Sequence, residues 1–517
     1  MSRNKRFIYN GVFGTFLMLI TFISSFVVRI YFVRYLGFEN LGVIAALTSI
    51  VTLLCIIDFG AGIALQFSLY KPLAENDTNK ISILLNLYKK LYFIIALAIF
   101  VFGLIALPLL PIFTGYSFLT ALPIYLIILV TNITSYLFSY NHTLISADQK
   151  EYIKSFVLSV LKIITAAAQI LVLILFKNIL LYLLVLFLSN LILNIFIWAY
   201  VRRKYPYTKK ANGKLDKGEF QTIRKKMSAI VLHKISGTIV VSLDALLISL
   251  FVSVTILGYY SNYLLISSSI FALMGGVFNG LSPYFGNANA TSSREHLTDV
   301  FKKMRFLYFI VCTVAVTGIF VVGDYFLELW LSEETILPFM FLVVFCFNFF
   351  QAGYAVPLSS IRAAVGAYEP DRYYQFLIAG VKLGLGILLT ICFGITGLLL
   401  ASVISSAIPY LIIIPLVCHK YVYNIKQVKY LLRFLFDFAV ACACVVATYF
   451  VVYIIPLSLS IWSFILYGLI CVIVPLIIVC LVYFWTKEFK GFKTFALTFV
   501  KRFRIKPSTK SVSEEQS

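Results

Sequence analysis

Apolar runs of about 20 residues follow one another from the amino end of this chain to about residue 485. Each is long enough to cross a hydrocarbon core about 30 Å thick as a helix. Only 12% of the residues are charged and 61% are hydrophobic, against about 25% charged in soluble domains. A chain so poor in charge cannot cover itself with a soluble surface, and an all-α, polytopic membrane protein is predicted. Fourteen spans are expected, near residues 8–33, 41–67, 87–110, 118–142, 155–176, 179–201, 228–252, 256–281, 304–328, 336–360, 375–393, 395–417, 434–456 and 461–485. The first follows Arg3, Lys5 and Arg6, is too long for a cleavable signal and lacks a small-residue cleavage site, so it is expected to stay as an anchor.

The basic residues test that count. With both termini on the cytoplasmic side, all 43 Lys and Arg fall in cytoplasmic segments or at the inner ends of spans except Arg29, Arg34 and Lys177 at outer ends and Lys162, Lys234 and Lys382 inside spans, as the positive-inside rule asks. One span more or fewer would scramble the partition. The net charge of +22 therefore reads first as topology and as attraction to anionic membrane lipid, not to nucleic acid. All nine cysteines lie in spans or at their inner ends, where structural disulfides are not expected. Cys442-Ala-Cys444 is not a metal spacing and the four histidines are scattered, so neither a metal site nor a cofactor is predicted.

The longest polar stretch before the carboxyl tail, "RRKYPYTKKANGKLDKGEFQTIRKKM", follows the sixth span as a linker between two bundles would. The expected organisation is a six-helix lobe over 1–201, a basic cytoplasmic linker over 202–227 and a second six-helix lobe over 228–417. A connection with two extra spans over 418–485 and a cytoplasmic tail over 486–517 complete the chain. The halves are in register: Leu36-Gly37 can be laid on Leu257-Gly258, both at the turn between the first two spans of a unit. Lys162 of span five precedes Lys382 of span eleven by nearly the same offset. Two parallel pseudo-symmetric repeats are inferred.

An ionisable side chain near mid-membrane costs about 2.5 to 3.5 kcal/mol on insertion scales and so usually faces an interior or wet space. Lys162, Thr165, Ala166 and Gln169 share one face of span five, and span eleven carries Gln375 and Lys382. Arg29 and Arg34 lie roughly 140° apart around span one. Arg29 continues the polar stripe of Thr21 and Ser25, whereas Arg34 sits on the far side as an outer anchor. In span seven Lys234 and Asp244 are about 15 Å apart along the helix, too far to pair. Asp244 is open to two roles, neutralising a cation from a facing helix or binding a coupling ion. Arg29, Lys162, Lys234 and Lys382 together predict a cationic interior and hence an anionic cargo.

The stretch "DFGAGIALQFSLYKPLAENDTNKI", residues 58–81, places an aspartate and two glycines in an apolar span and then turns polar. Gly60 and Gly62 allow a neighbouring helix to approach, Pro72 is expected to end the span, and Asp77 or Thr78 to cap the helix that follows. Asp58 is a candidate for an inner gate or ion coupling. This stretch, with "FVRYLGFENLGVIAAL", "LHKISGTIVVSLDALLISLFVSVTILGYYSNYLLI" and "RAAVGAYEPDRYYQF", resembles the Wzx-type polysaccharide repeat-unit flippases of the multidrug/oligosaccharidyl-lipid/polysaccharide exporter superfamily, from Arg3 to about residue 485.

The resemblance implies a V-shaped, two-lobed bundle in the bacterial cytoplasmic membrane that carries undecaprenyl-pyrophosphate-linked oligosaccharide from the inner to the outer leaflet. It implies a cationic central cavity, which Arg29 matches, no catalytic chemistry, and a polysaccharide polymerase and glycosyltransferases as partners. Spans thirteen and fourteen, apolar apart from Asp437, are expected to line a groove for the polyprenyl chain. A lipid II flippase is a close rival. A multidrug exporter would favour interior acids and commonly twelve spans. A membrane polymerase or glycosyltransferase would need a sizeable extramembrane segment, and the acidic outer stretch "GDYFLELWLSEETILP" is short for that.

Overall fold

Helix α1, Arg3–Leu54, has 52 residues and would extend about 78 Å if straight, more than twice the hydrocarbon thickness. A single glycine breaks it. In the computed structural model Gly37 takes φ 78° and ψ 172°, a backbone that side chains with a Cβ rarely adopt, and this divides α1 into two membrane-length arms. The structure describes residues 3–58, 60–209, 235–278, 294–365, 374–421, 426–455, 458–486 and 488–489.

A 3-10 turn at Cys55–Asp58 ends α1, and α2 (Ala61–Glu75) restarts the helix after Gly60, itself left-handed at φ 71°. Then come α3 (Thr78–Ile105), a short α4 (Leu110–Thr114), α5 (Phe118–Ala147), α6 (Glu151–Phe176) and α7 (Ile179–Lys204). The second half holds α8 (Ile235–Phe251), α9 (Val254–Phe278), α10 (Arg294–Trp330), α11 (Phe339–Val365) and α12 (Tyr374–Ala407). After a π turn follow α13 (Ile414–Tyr421), α14 (Gln427–Ile454) and α15 (Ile461–Tyr483). Helix α12 doubles back at Gly394, φ 59°, so that Lys382 and Ser402, 20 residues apart in sequence, are hydrogen-bonded to each other.

Eleven apolar stretches are long enough to span a bilayer, two of them the broken pairs containing Gly37 and Gly394, and α8 is a shorter apolar helix. Splitting the two broken ones and adding α8 gives fourteen segments among the described residues. The fold is all-helical, without strands among those residues, and the chain is a multi-pass membrane protein.

Local chemistry explains the joints. Asp77 caps α3 by accepting from Lys80 N at 2.9 Å, and Asn178 caps α7 by accepting from Leu180 N at 2.8 Å and Leu181 N at 3.2 Å. Pro72 does not end the second span as the sequence suggested: α2 runs on to Glu75 and stops at a left-handed Asn76. A proline this near a helix end withholds one amide from the preceding turn, and the hydrogen bond of Asp77 N to the Pro72 carbonyl, 2.9 Å, closes the helix instead. Gly258 also departs from the expected turn. It lies within α9, and the turn is formed by Val252 and Ser253, whose amides both reach the Ile248 carbonyl. Asp324 and Glu328, read in the sequence as part of an outer loop, belong to α10.

Two large apolar cores form among the described residues. One gathers Leu47, Val51, Leu65, Leu85, Ile99, Tyr125, Leu144 and Ile197 from α1 to α7. The other gathers Phe301, Phe309, Phe341, Phe350, Leu398, Phe434 and Tyr483 from α8 to α15. The last pair, α14 and α15, is tied down by a buried charge cluster. Asp437 accepts from Tyr354 Oη at 2.8 Å and from Tyr483 Oη at 2.5 Å, and pairs with Arg433 at 3.0 Å and Arg305 at 4.0 Å.

The halves meet where the short connections cluster. Tyr116 Oη donates to Asn40 Oδ1 at 3.2 Å and Lys177 stands over the Tyr35 ring, which places the corners of α1, α4–α5 and α6–α7 at one end of the bundle. There α1 packs on α9 through backbone: a Cβ on Gly42 would run into the Val254 carbonyl, and one on Gly258 into the Phe38 carbonyl. The rings of Phe38 and Tyr259 (4.9 Å) and of Phe26 and Trp330 (4.6 Å) flank this seam, and Trp330 Nε1 donates to the Phe26 carbonyl at 3.1 Å.

Candidate functional site between the lobes

Beside that seam lies Arg29. Its guanidinium, half-buried, donates through Nη1 to Ser261 Oγ of α9 at 2.9 Å and sits within electrostatic reach of the Tyr182 phenol of α7. Tyr182 packs edge-on against Phe32 at 4.9 Å and lies within hydrogen-bonding reach of Gln169 of α6. Three helices from both halves thus meet at one cation, with α6 behind Tyr182, and that cation pairs with no carboxylate among the described residues. An unneutralised guanidinium with spare donors in a low-dielectric setting is suited to an oxyanion.

Helix α6 extends the polar surface away from this point. Thr165 and Gln169 are buried, Lys162 is half-buried, and Thr165 Oγ1 donates to Ser189 Oγ of α7 at 2.6 Å. Lys162 also has no carboxylate partner among the described residues. It stands about 10 Å along the helix from Gln169. Thr21 and Ser25, half-buried, lead up to Arg29 on α1.

The structure separates the remaining candidates from this group. Lys382 is fully buried, paired with Asp244 and hydrogen-bonded to Ser402, so it is a neutralised charge within the second half and not an open cavity cation. Asp244 has found its cation on a facing helix. Gln375 is buried, with its backbone carbonyl accepting from Ser236 Oγ at 2.9 Å. Asp58 is buried in the 3-10 turn, within electrostatic reach of the Tyr92 and Tyr136 phenols. Gly62 serves the same place, because a Cβ there would stand 3.0 Å from Tyr92 Oη. Lys234 lies outside the described residues.

Tyr182, Ser261 and Ser402 were not singled out by the sequence. A tyrosine or serine in an apolar span gains meaning only from what the fold places opposite it, and no local spacing marks it.

One helical turn before Arg29, Phe26 of α1 lines an apolar cavity of about 610 Å³. Ile266 and Ile270 of α9, Val311 of α10 and Phe464 and Val472 of α15 line it as well. A second apolar cavity, about 480 Å³, lies along α14 and is lined by Phe438, Cys442 and Val446.

The family model for polysaccharide biosynthesis proteins matches residues 9–289. No curated protein matches the chain. Among solved structures, the lipid II flippase MurJ in an inward closed conformation superposes with a TM-score of 0.67 at 14% identity, over 91% of this chain and 99% of that one. A multidrug resistance MATE family transporter in an inward-facing conformation gives 0.58 at 10% identity, over 79% and 98%. A MOP superfamily transporter from Pyrococcus furiosus, whose binding pocket has reversed polarity, gives 0.54 at 11% identity, over 80% and 96%. At these identities the likeness is one of fold.

Proposed function

This chain belongs to the polysaccharide biosynthesis protein family, and from that premise we propose that it is an exporter of the multidrug/oligosaccharidyl-lipid/polysaccharide superfamily that carries undecaprenyl-pyrophosphate-linked polysaccharide repeat units from the inner to the outer leaflet of a bacterial cytoplasmic membrane. The observation that carries the reading is the adjacency of Phe26 and Arg29 on α1. One turn of helix separates a side chain that lines the large apolar cavity from a guanidinium with no carboxylate partner among the described residues. A cargo with a greasy tail and an anionic head needs those two surroundings side by side.

In this reading the pyrophosphate exchanges its hydration shell for Arg29 and for the polar face of α6, with Lys162 and Gln169. The polyprenyl chain lies in the apolar cavities along α14 and α15, and the sugar occupies the space between the lobes. No bond is made or broken; the protein works by rocking its lobes. The seam at Gly42 and Gly258 closes the outer end, with both termini on the cytoplasmic side, and parting it would free Arg29 from Ser261. Asp58 and Asp244 are the groups from which a coupling ion could draw. A polymerase at the outer face and glycosyltransferases at the inner one are the partners such a carrier serves.

The likeness to MurJ along nearly the whole chain favours lipid II as a second reading. Reconstitution in proteoliposomes tests both. Flipping of undecaprenyl-pyrophosphate-linked oligosaccharide, with accumulation of the lipid-linked unit on the inner leaflet when the gene is deleted, is expected. Flipping of lipid II alone would transfer the assignment, and movement of neither would remove it.

A further inference from the structure

At the opposite end of the first half, α3, α5 and α7 flank a small polar pocket of about 140 Å³, well below the roughly 300 to 1,000 Å³ of sites for drug-sized ligands, with Asn86, Lys89 and Arg202 exposed at its mouth. It takes a group of a few heavy atoms. Asn86 and Lys89 come from α3, Tyr140 and Asn141 from α5, and Trp198 and Arg202 from α7. The Arg202 guanidinium is stacked over the Trp198 ring at 4.3 Å, which fixes the plane of its donors before any ligand arrives. Asn141 is buried, and its amide nitrogen makes one long hydrogen bond, to the Phe138 carbonyl at 3.4 Å. Two cations and no acid line the pocket, and neither Lys89 nor Arg202 has a carboxylate partner among the described residues.

The ligand class follows from charge, size and depth. Two cations with spare amide donors around a small volume select a tetrahedral oxyanion. The pocket sits in the first half of α3 and near the ends of α5 and α7, and α7 closes with Arg202, Arg203 and Lys204, with Trp198 and Tyr140 as interfacial aromatics. That is the depth of phospholipid head groups, and basic pockets between helices at this level bind them. We propose that this pocket holds the phosphate of an anionic membrane phospholipid, fixing the α3–α5–α7 bundle to the leaflet at the basic end of the molecule. The site is separate from the one around Arg29 and does not depend on which cargo is carried.

The full chain in nanodiscs of phosphatidylcholine doped with phosphatidylglycerol, examined by native mass spectrometry, gives the test. The wild type is expected to retain phosphatidylglycerol, and K89Q/R202Q to bind it about thirtyfold less tightly, at about one kilocalorie per basic residue. R203Q, which removes an exposed charge one residue outside the pocket, is expected to behave as wild type. Thermal unfolding of all three checks that the fold is kept, and inorganic phosphate added in detergent separates a lipid from a soluble ion. Equal retention by wild type and K89Q/R202Q overturns the proposal. So does equal loss in K89Q/R202Q and R203Q, which would mean diffuse attraction. Stabilisation by inorganic phosphate without preferential retention of phosphatidylglycerol overturns the lipid assignment.

Discussion

Lys382 and Asp244, on α12 and α8, form an ion pair in the interior of the second half, with Lys382 sealed from solvent and shared with Ser402. Removing one partner leaves the other charged and alone in a low-dielectric setting. Lys382→Ala is therefore expected to destabilise the protein by about 3 to 5 kcal/mol, read as a lower unfolding temperature in detergent. Lys382→Met combined with Asp244→Asn removes both charges and should recover most of that loss. A double variant no better than the single one would show that the two charges act independently.

Arg29 carries the head-group reading. Arg29→Ala is expected to lower transport by about ten- to a hundredfold, the scale of a lost charge-assisted hydrogen bond, while protein abundance stays normal. Ser261→Ala removes only the partner across the seam and should change transport by less than about tenfold. Surface polysaccharide, normalised to membrane-inserted protein, measures both. Normal export by Arg29→Ala would remove Arg29 from the site.

At Gly42 and Gly258 the seam has no room for a side chain. Gly42→Leu or Gly258→Leu would push a branched chain against the Val254 or Phe38 carbonyl and hold that end apart. Spin labels placed on the ends of α1 and α9 should show a longer distance than in wild type, with transport lost. Unchanged distances with normal transport would contradict the close approach.

Asp437 anchors the last two helices. Asp437→Ala leaves Arg433 and Arg305 without their buried partner and is expected to cost about 3 to 5 kcal/mol. Tyr483→Phe, which removes one hydrogen bond to the same carboxylate, should cost about 1 kcal/mol. Faster proteolysis near the α14–α15 junction in Asp437→Ala than in Tyr483→Phe would accompany the larger loss.

Much of the architecture was legible because length and hydropathy act locally. The spans announce themselves by being about as long as a bilayer is thick, and Gly37 marks its corner because few other residues take its backbone angles. Pro72 misled for an instructive reason. One missing amide is tolerated near the end of a helix, and the stop came from the left-handed Asn76. Charges were visible as charges, but Lys382 could not disclose that a chain reversal at Gly394 would seat it beside Ser402 and Asp244. Tyr182 and Ser261 gave no sign at all, since their surroundings are assembled from α7 and α9, far from Arg29 in sequence. Sequence pattern thus reports which residues are unusual for a membrane, and the tertiary fold decides which of them remain uncompensated.

The seam formed by Gly42, Gly258 and the carbonyls they face has a dynamic consequence. In the proposed cycle, a door made of bare backbone, held by a few hydrogen bonds and rings, can part without unlocking either core or choosing new rotamers in it. Its opening and shutting should be quick and nearly free of memory, leaving the tempo of each cycle to the passenger and not to the gate.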